Sequence, residues 1–303
     1  MVSLNQVKRV KRNVSGWLVL NKPYDMTSTQ AVGKVRWLFG AAKAGHAGTL
    51  DPLATGILPI ALGEATKTVP FVQDGTKVYR FSVKWGAATA TDDAEGEVIA
   101  TSDHRASAAE IEAVLPDFIG TISQVPPIFS ALKIDGERAY DLARAGEKVE
   151  LAAREIHVDS LKLLDHGSEK SVFEAVCGKG TYVRAIARDI AEQVGTKGHV
   201  VGLHRGAVGP FHDEDAVSIE QLEALDLTDR DALLKPIATS LIELPEIRLT
   251  QQQLSGVKHG NSVLLTGAGA PVSLDEAWAS FAGEVVATGH VEHGQFVPRR
   301  VFN

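Results

Sequence analysis

Residues 44–67, AGHAGTLDPLATGILPIALGEATK, hold one Asp, one His, one Glu, one Lys and four glycines among small and apolar residues. How this stretch is read decides the fold fitted to the rest. Pro52 pushes Asp51 out of the α region into an extended conformation. Asp followed by Pro is also how a helix begins, with the carboxylate as N-cap and proline in the first turn. Local sequence alone favours the helix cap. Gly45, Gly48 and Gly56 fit a tight loop that lets another group approach the backbone closely. The Gly-x-x-x-x-Gly-Lys-Ser/Thr pattern of a phosphate loop is missing, which argues against a nucleoside triphosphate site.

Working outward, GWLVLNKP (16–23) reads as a strand stopped by Pro23. TSTQAVGKVRWLFG (27–40) opens with a capping box, Thr27 to Gln30, and spaces Val32, Val35, Leu38 and Phe39 as on a helix. KVYRFSVKWG (77–86) alternates, with Tyr79, Phe81, Val83 and Trp85 on one face. A second capped helix starts at Ser107 with Glu110 in its box. SVFEAVCGKG reads as a strand running into TYVRAIARDIAEQVG, a helix ending at Gly195. Helices and strands do not alternate one for one, so the expected class is α+β, a mixed and mostly antiparallel sheet flanked by helices. Residues 124–150, with a double proline and dense mixed charge, read as a thumb-like insertion. From about Ile247 short β-like runs between Gly-rich turns predict a small β domain, with an acidic helical join before it. The expected division is a basic tail (1–12), a main domain (13–246) and the small β domain (247–303).

The chain has 303 residues, ordinary hydrophobic content and a net charge of −7. No run reaches the ~18 apolar residues of a membrane span, and no secretory signal pattern opens the chain. The lone cysteine, Cys177, excludes an internal disulfide, fits a reducing cytoplasm, and reads as a small hydrophobe in a strand. The charge is unevenly distributed. Residues 1–50 carry eight Lys or Arg against Asp25, whereas residues 201–250 carry ten acids against four basic residues. Such asymmetry can present a positive face for nucleic acid, or can be a solvated basic tail beside an acidic helix; composition does not decide.

GHAGTLDPLATGILPIALGEATK resembles the signature loop of the bacterial tRNA pseudouridine synthases that modify uridine 55 of the TΨC arm. NKPYDMTS, KVYRFSVKWGAATATDDAEG, QVPPIFSALKIDGERAYDLARAG, CGKGTYVRAIARDIAEQVG and HVVGLHRGAVGPF follow the same family in order, over roughly residues 16–211. The C-terminal segment is similar to the family's small PUA-type RNA-binding domain. The resemblance implies the pseudouridine synthase fold, a tRNA partner bound through its TΨC stem-loop by a monomer, and no cofactor or metal. It makes Asp51 the catalytic carboxylate, Arg184 its partner, and Tyr79 the ring that stacks on the flipped uracil. Tyr182 and Leu203 would line the pocket, and Lys22 and Pro23 of NKPYDMTS would bind substrate. His46 would contact the RNA and help hold the opened loop. Without the resemblance, Tyr79, Tyr182 and Leu203 read as ordinary packing. The family's frequent Leu-Arg-Arg run is here Leu203-His204-Arg205, so one fixed charge becomes titratable.

Other motifs weigh less. TDDAEGE (91–97) lacks EF-hand spacing and reads as a solvated hairpin turn. His290 and His293 would point to opposite faces of a strand, which disfavours a shared metal. No second carboxylate is paired with Asp51 by spacing, as a glycosidase would need. Two function classes remain open: an RNA-modifying enzyme acting on tRNA or another RNA, and a non-catalytic RNA-binding or tRNA-folding module. A carboxylate that repels phosphate favours the enzyme.

Overall fold

In the computed structural model the described residues are 11–130, 132–134, 137–138, 151–267 and 269–303. The first half of the chain builds β1 (Gly16–Lys22), α1 (Ser28–Phe39), β2 (Ala44–His46), β3 (Ala54–Leu62), α2 (Val69–Asp74) and β4 (Lys77–Trp85). A hairpin of β5 (Ala87–Thr89) and β6 (Val98–Thr101) leads to α3 (Ala108–Val114) and β7 (Gly120–Gln124). Both expected capping boxes form, Thr27 with Gln30 and Ser107 with Glu110. Of the expected insertion, residues 131, 135–136 and 139–150 lie outside the described residues; the strand pieces β8 (Lys133–Ile134) and β9 (Glu137–Arg138) pair with each other. The chain continues through β10 (Arg154–His166), β11 (Lys170–Cys177), α4 (Val183–Gln193), β12 (Gly198–Val208), β13 (Phe211–His212), α5 (Ile219–Ala224) and α6 (Leu227–Ala232).

These strands form one mixed sheet in the order β1-β3-β12-β4-β11-β10-β7, with β2 beside β3 and β13 beside β12. Every pairing in it among the described residues is antiparallel except β3 with β12. That parallel register sets Leu203 beside Ala54 and Arg205 beside Gly56, while the other edge of β12 sets Arg205 beside Tyr79. Alternation on β4 buries Phe81, Val83 and Trp85, and Phe173 of β11 stacks on Phe81 at 5.3 Å between ring centres. Cys177 is buried at the end of β11, the small apolar role expected of it. The main core joins this sheet to α1, α4 and α5 through Val35, Leu38, Ile186, Ile190 and Leu222.

A second sheet of β14 (Glu246–Arg248), β15 (Val263–Leu264), β16 (Leu274–Phe281), β17 (Glu284–Glu292) and β18 (Gln295–Val301) packs on α7 (Gln251–Lys258) around its own core. The acidic stretch before it is more than a join. Ile219 and Leu222 are buried in the main core, and the backbone N–H of Lys235 donates to the Trp17 carbonyl at 2.8 Å. Three of its acids are paired from within the chain: Asp231 with Arg12, Glu223 with Lys34, Asp215 with Lys235. Part of the expected positive face of residues 1–50 is thereby spent internally, and Lys22 is fully buried.

Candidate active site

The helix-cap reading of Asp51 is overturned. No helix follows it; residues 52–53 form a turn, the Ala54 N–H donates to the Asp51 carbonyl at 3.0 Å, and the chain enters β3. Pro52 therefore fixes a turn at the mouth of a strand, and the carboxylate is free of capping duty.

The loop in front of β3 is clamped from three sides. Ser28, at the start of α1, donates its hydroxyl to the Leu50 carbonyl at 3.0 Å and accepts the Leu50 N–H at 2.8 Å. The buried Lys22 ammonium donates to the carbonyls of Pro23 (2.8 Å), Met26 (2.6 Å) and Pro52 (3.3 Å). Arg205, fully buried on β12, donates to the carbonyls of Ile57 at 2.8 Å, Gly48 at 3.0 Å and Thr49 at 3.4 Å. This packing is tight enough that residue 56 must be glycine. It sits at φ +99°, and a Cβ there would stand 2.4 Å from the Arg205 carbonyl oxygen. The backbone on both sides of Asp51 is thus fixed before any substrate arrives.

Arg184, 4% exposed in the first turn of α4, reaches Asp51 Oδ2 through Nε at 2.9 Å. Its Nη1 lies 3.2 Å from Asp93 Oδ2 and donates to the Thr91 carbonyl at 2.8 Å, and Nη2 donates to the Phe129 carbonyl at 3.0 Å. One guanidinium thus bridges two carboxylates. Asp93 is 2% exposed, and the neighbouring Asp92 pairs with Arg188 at 2.9 Å. The turn 91–97, expected to be solvated, is instead anchored on the helix that carries Arg184. Burial pushes the Asp51 carboxyl above its ordinary value, the Asp93 charge adds to the push, and Arg184 opposes it.

Asp51 and Arg184 open onto a cavity of about 420 Å³ that is also lined by Tyr79, Tyr182 and Leu203. The structure thus gathers five of the eight residues singled out from sequence. Tyr79 stands in the middle of the sheet between Arg205 on β12 and Ala175 on β11, and burial raises its hydroxyl, which keeps the ring neutral. The Tyr182 peptide is held at both ends by the Gln124 amide, whose Oε1 accepts its N–H at 2.9 Å and whose Nε2 donates to its carbonyl at 3.1 Å. Lys22, Pro23 and His46 do not line the cavity. Lys22 is held under the loop by the three carbonyls above, and burial lowers it to about 8. His46, on β2, is lowered by burial and by the Arg205 charge. The titratable His204 lies between Thr55 Oγ1 (3.0 Å) and the Asp213 carboxylate (2.9 Å).

Three contributors escape the motif reading. Asp93 sits in an acidic run that has no local mark of burial. Gln124 acts only through a contact 58 residues away. Arg205 did leave a signal, a charged residue two positions after Leu203 and so on the same face of a strand. Among the described residues no group of three or more His, Cys, Asp or Glu could hold a metal ion. No helix among them is long and apolar enough to cross a membrane.

Two family models match the chain: the TruB family pseudouridylate synthase N-terminal domain over residues 36–183, and the tRNA pseudouridylate synthase B C-terminal domain over residues 184–241. The chain is 51% identical to the tRNA pseudouridine synthase B of Brucella ovis, across 97% of this chain and 98% of that one. It is 50% identical to the protein of the same name from Mesorhizobium japonicum, with the same coverage. Among solved structures, a Cbf5-Nop10-Gar1 complex contains a chain that superposes with a TM-score of 0.72 at 23% identity, covering 95% of this chain and 84% of that one. An H/ACA RNP bound to a substrate RNA containing 2'-deoxyuridine gives 0.72 at 22% identity, with 95% and 85% covered. These structures share the fold.

Proposed function

This chain belongs to the TruB family of pseudouridylate synthases, and we propose that it converts uridine 55 in the TΨC arm of tRNA to pseudouridine with Asp51 as the catalytic carboxylate. The observation that carries this reading is the Asp51–Arg184 pair, 2.9 Å apart at the wall of a cavity that Tyr79 also lines.

The reaction is an isomerisation. The N1–C1′ bond breaks, the uracil turns, C5 bonds to C1′, and the proton displaced from C5 is balanced by one gained at N1. Atoms and electrons balance without a donor or oxidant. The demand on the protein is a negative charge beside C1′ as the bond breaks, either bonding to that carbon or stabilising its positive charge. Arg184 supports that charge on Asp51 against burial, which raises the carboxyl above its ordinary value. Extruding the uridine from folded RNA costs a few kcal/mol. Stacking on Tyr79 returns about 1–3 kcal/mol, and Tyr182 and Leu203 close the apolar sides. Lys22 serves as a positioning residue beneath the Asp51 loop. We assign Pro23 and His46, which lie outside the cavity, to RNA contacts around the flipped nucleotide, and residues 247–303 to RNA binding away from the chemistry.

The test is tritium release from transcripts labelled at uridine C5. Wild-type protein is expected to release label from a tRNA with uridine at position 55 and not from one lacking it. Asp51→Asn is expected to bind that tRNA with no release. Release that ignores position 55 would move the substrate to another RNA, and normal release by Asp51→Asn would remove the carboxylate from its role.

A further inference from the structure

Five cations line the cavity, Lys77, Lys179, Arg154, Arg184 and Arg205, against the two carboxylates Asp51 and Asp74. Most of the cations are engaged. Arg184 and Arg205 are held as described, the Lys77 ammonium donates to the carbonyls of Gln73 and Gly75, and Lys179 pairs with Asp74 at 2.9 Å near the surface. Arg154, at the start of β10, differs. Its guanidinium lies over the Tyr182 ring, 5.0 Å from the centre, and Nη2 donates to the Gly180 carbonyl. Its Nε is buried with no hydrogen-bond partner among the described residues. Gly180, at φ +84°, supplies the left-handed turn that presents this carbonyl to the guanidinium.

Two more buried polar atoms without a hydrogen-bond partner among the described residues line the same cavity: the Oγ of Ser130, which is 3% exposed, and the Oγ1 of Thr181. Buried polar groups are almost always hydrogen-bonded, so three unpaired at one cavity point to a ligand that completes them. A guanidinium edge and a hydroxyl together suit an anionic oxygen. The loop from Gly178 to Tyr182 leads into α4 beside them, and the positive end of an eleven-residue helix adds to the same field.

We propose that Arg154 and Ser130 form a phosphodiester subsite, which holds the RNA backbone next to the nucleotide whose C1′ faces Asp51. The proposal rests on the RNA reading above. Fixing the neighbouring phosphate sets the ribose at the carboxylate, and the same guanidinium keeps the Tyr182 ring flat against the pocket.

The experiment measures binding in the Asp51→Asn background, where RNA stays unreacted. Fluorescent TΨC stem-loops are titrated at several salt concentrations, unmodified or with one neutral methylphosphonate 5′ or 3′ of the target uridine. Arg154→Gln is expected to weaken binding of the unmodified RNA about tenfold and to lower the salt slope by about 0.7–1. Ser130→Ala, a milder change, is expected to weaken it about threefold. Both losses should vanish on one methylphosphonate RNA, and Arg154→Lys should recover the salt slope. Losses that persist on both methylphosphonate RNAs, with the slope unchanged, would reduce Arg154 to a prop for Tyr182 and overturn the subsite. A failed tritium assay alongside this charge-dependent binding would overturn the uridine 55 reading and leave the subsite standing.

Discussion

In the proposed reaction Asp51 is useful only as an anion, and its neighbours act on that anion in opposite directions. Burial and the Asp93 charge favour the protonated form, and Arg184 favours the carboxylate. Because the first influence prevails, kcat/KM is expected to fall on the acid side with a midpoint above the ordinary 3.8, once acid unfolding is excluded by circular dichroism. Asp93→Asn removes a charge that raises Asp51, so its acid limb should move to lower pH; a limb that stays put or rises would show that Asp93 acts only as a strut. Lys22 gives the opposite linkage. Burial holds it near 8 against an ordinary 10.5, so the unfolded chain binds more protons in that window. The Lys22 contribution to stability therefore rises as pH climbs from about 8 to 10.5, and below 8 its full desolvation cost is present. Lys22→Met should lack this rise. It should also be less stable at pH 7 by about 1–3 kcal/mol, because three carbonyls lose their donor. Urea unfolding of both proteins at pH 7 and pH 10 checks this, and a constant difference across that range would refute the linkage.

At the scale of elements, the site is where a loop, three strands and a helix start converge, and the contacts that lock them run from buried side chains to backbone carbonyls. Gly56→Ala brings a Cβ into the Arg205 carbonyl on the neighbouring parallel strand at a left-handed φ. It is expected to lower stability by about 2–5 kcal/mol, read as a shifted urea midpoint, and to abolish turnover before folding is lost. Much of this level was legible. Strict alternation gave β4, apolar spacing with Thr27 and Gln30 gave α1, and a glycine stop gave α4, because side-chain period and capping chemistry are local. The errors arose where tertiary context overrides local pattern. Asp-Pro reads as a cap, but the following residues pair as β3, so the helix never starts. An acidic turn reads as solvated, but Arg184 and Arg188 are brought to it from 91 residues further on or more. The expected β domain contains helix α7, which Thr250 and Gln253 start with a capping box. Tyr79 and Leu203 could be told from packing residues only by the resemblance, because an aromatic facing a cavity and one facing a core have the same period.

Over the whole molecule, the question is how the small sheet keeps its place on the large one. The clasp is built from the end of the signature stretch itself. Lys67 donates to the Val301 carbonyl at 2.8 Å, Glu64 accepts the Asn303 N–H at 3.0 Å, and the Phe302 ring lies 5.4 Å from the Lys67 ammonium. Phe302 is buried, and the Trp278 indole N–H on β16 donates to the Leu244 carbonyl at 3.2 Å. The polar part of the clasp is half-exposed and worth about 1 kcal/mol or less. The apolar part decides, since truncating a buried phenylalanine costs about 3–5 kcal/mol. A sheet of about 57 residues around a core of nine buried side chains is near the lower size for independent folding, and so it depends on that docking. Phe302→Ala is therefore expected to split urea unfolding into two transitions. Hydrogen exchange should speed up across residues 274–301 and leave β3, β4 and β12 protected. Lys67→Ala alone should shift neither by more than a few tenths of a kcal/mol. If Phe302→Ala still unfolds in one step with uniform exchange, the two sheets are joined through Trp278 and the 237–245 segment instead. Glu64 and Lys67 follow β3 and Asp51 precedes it, so the same strand carries the Asp51 loop at one end and the clasp at the other. Loss of the clasp is expected to weaken RNA binding while leaving the acid limb of turnover at the wild-type pH.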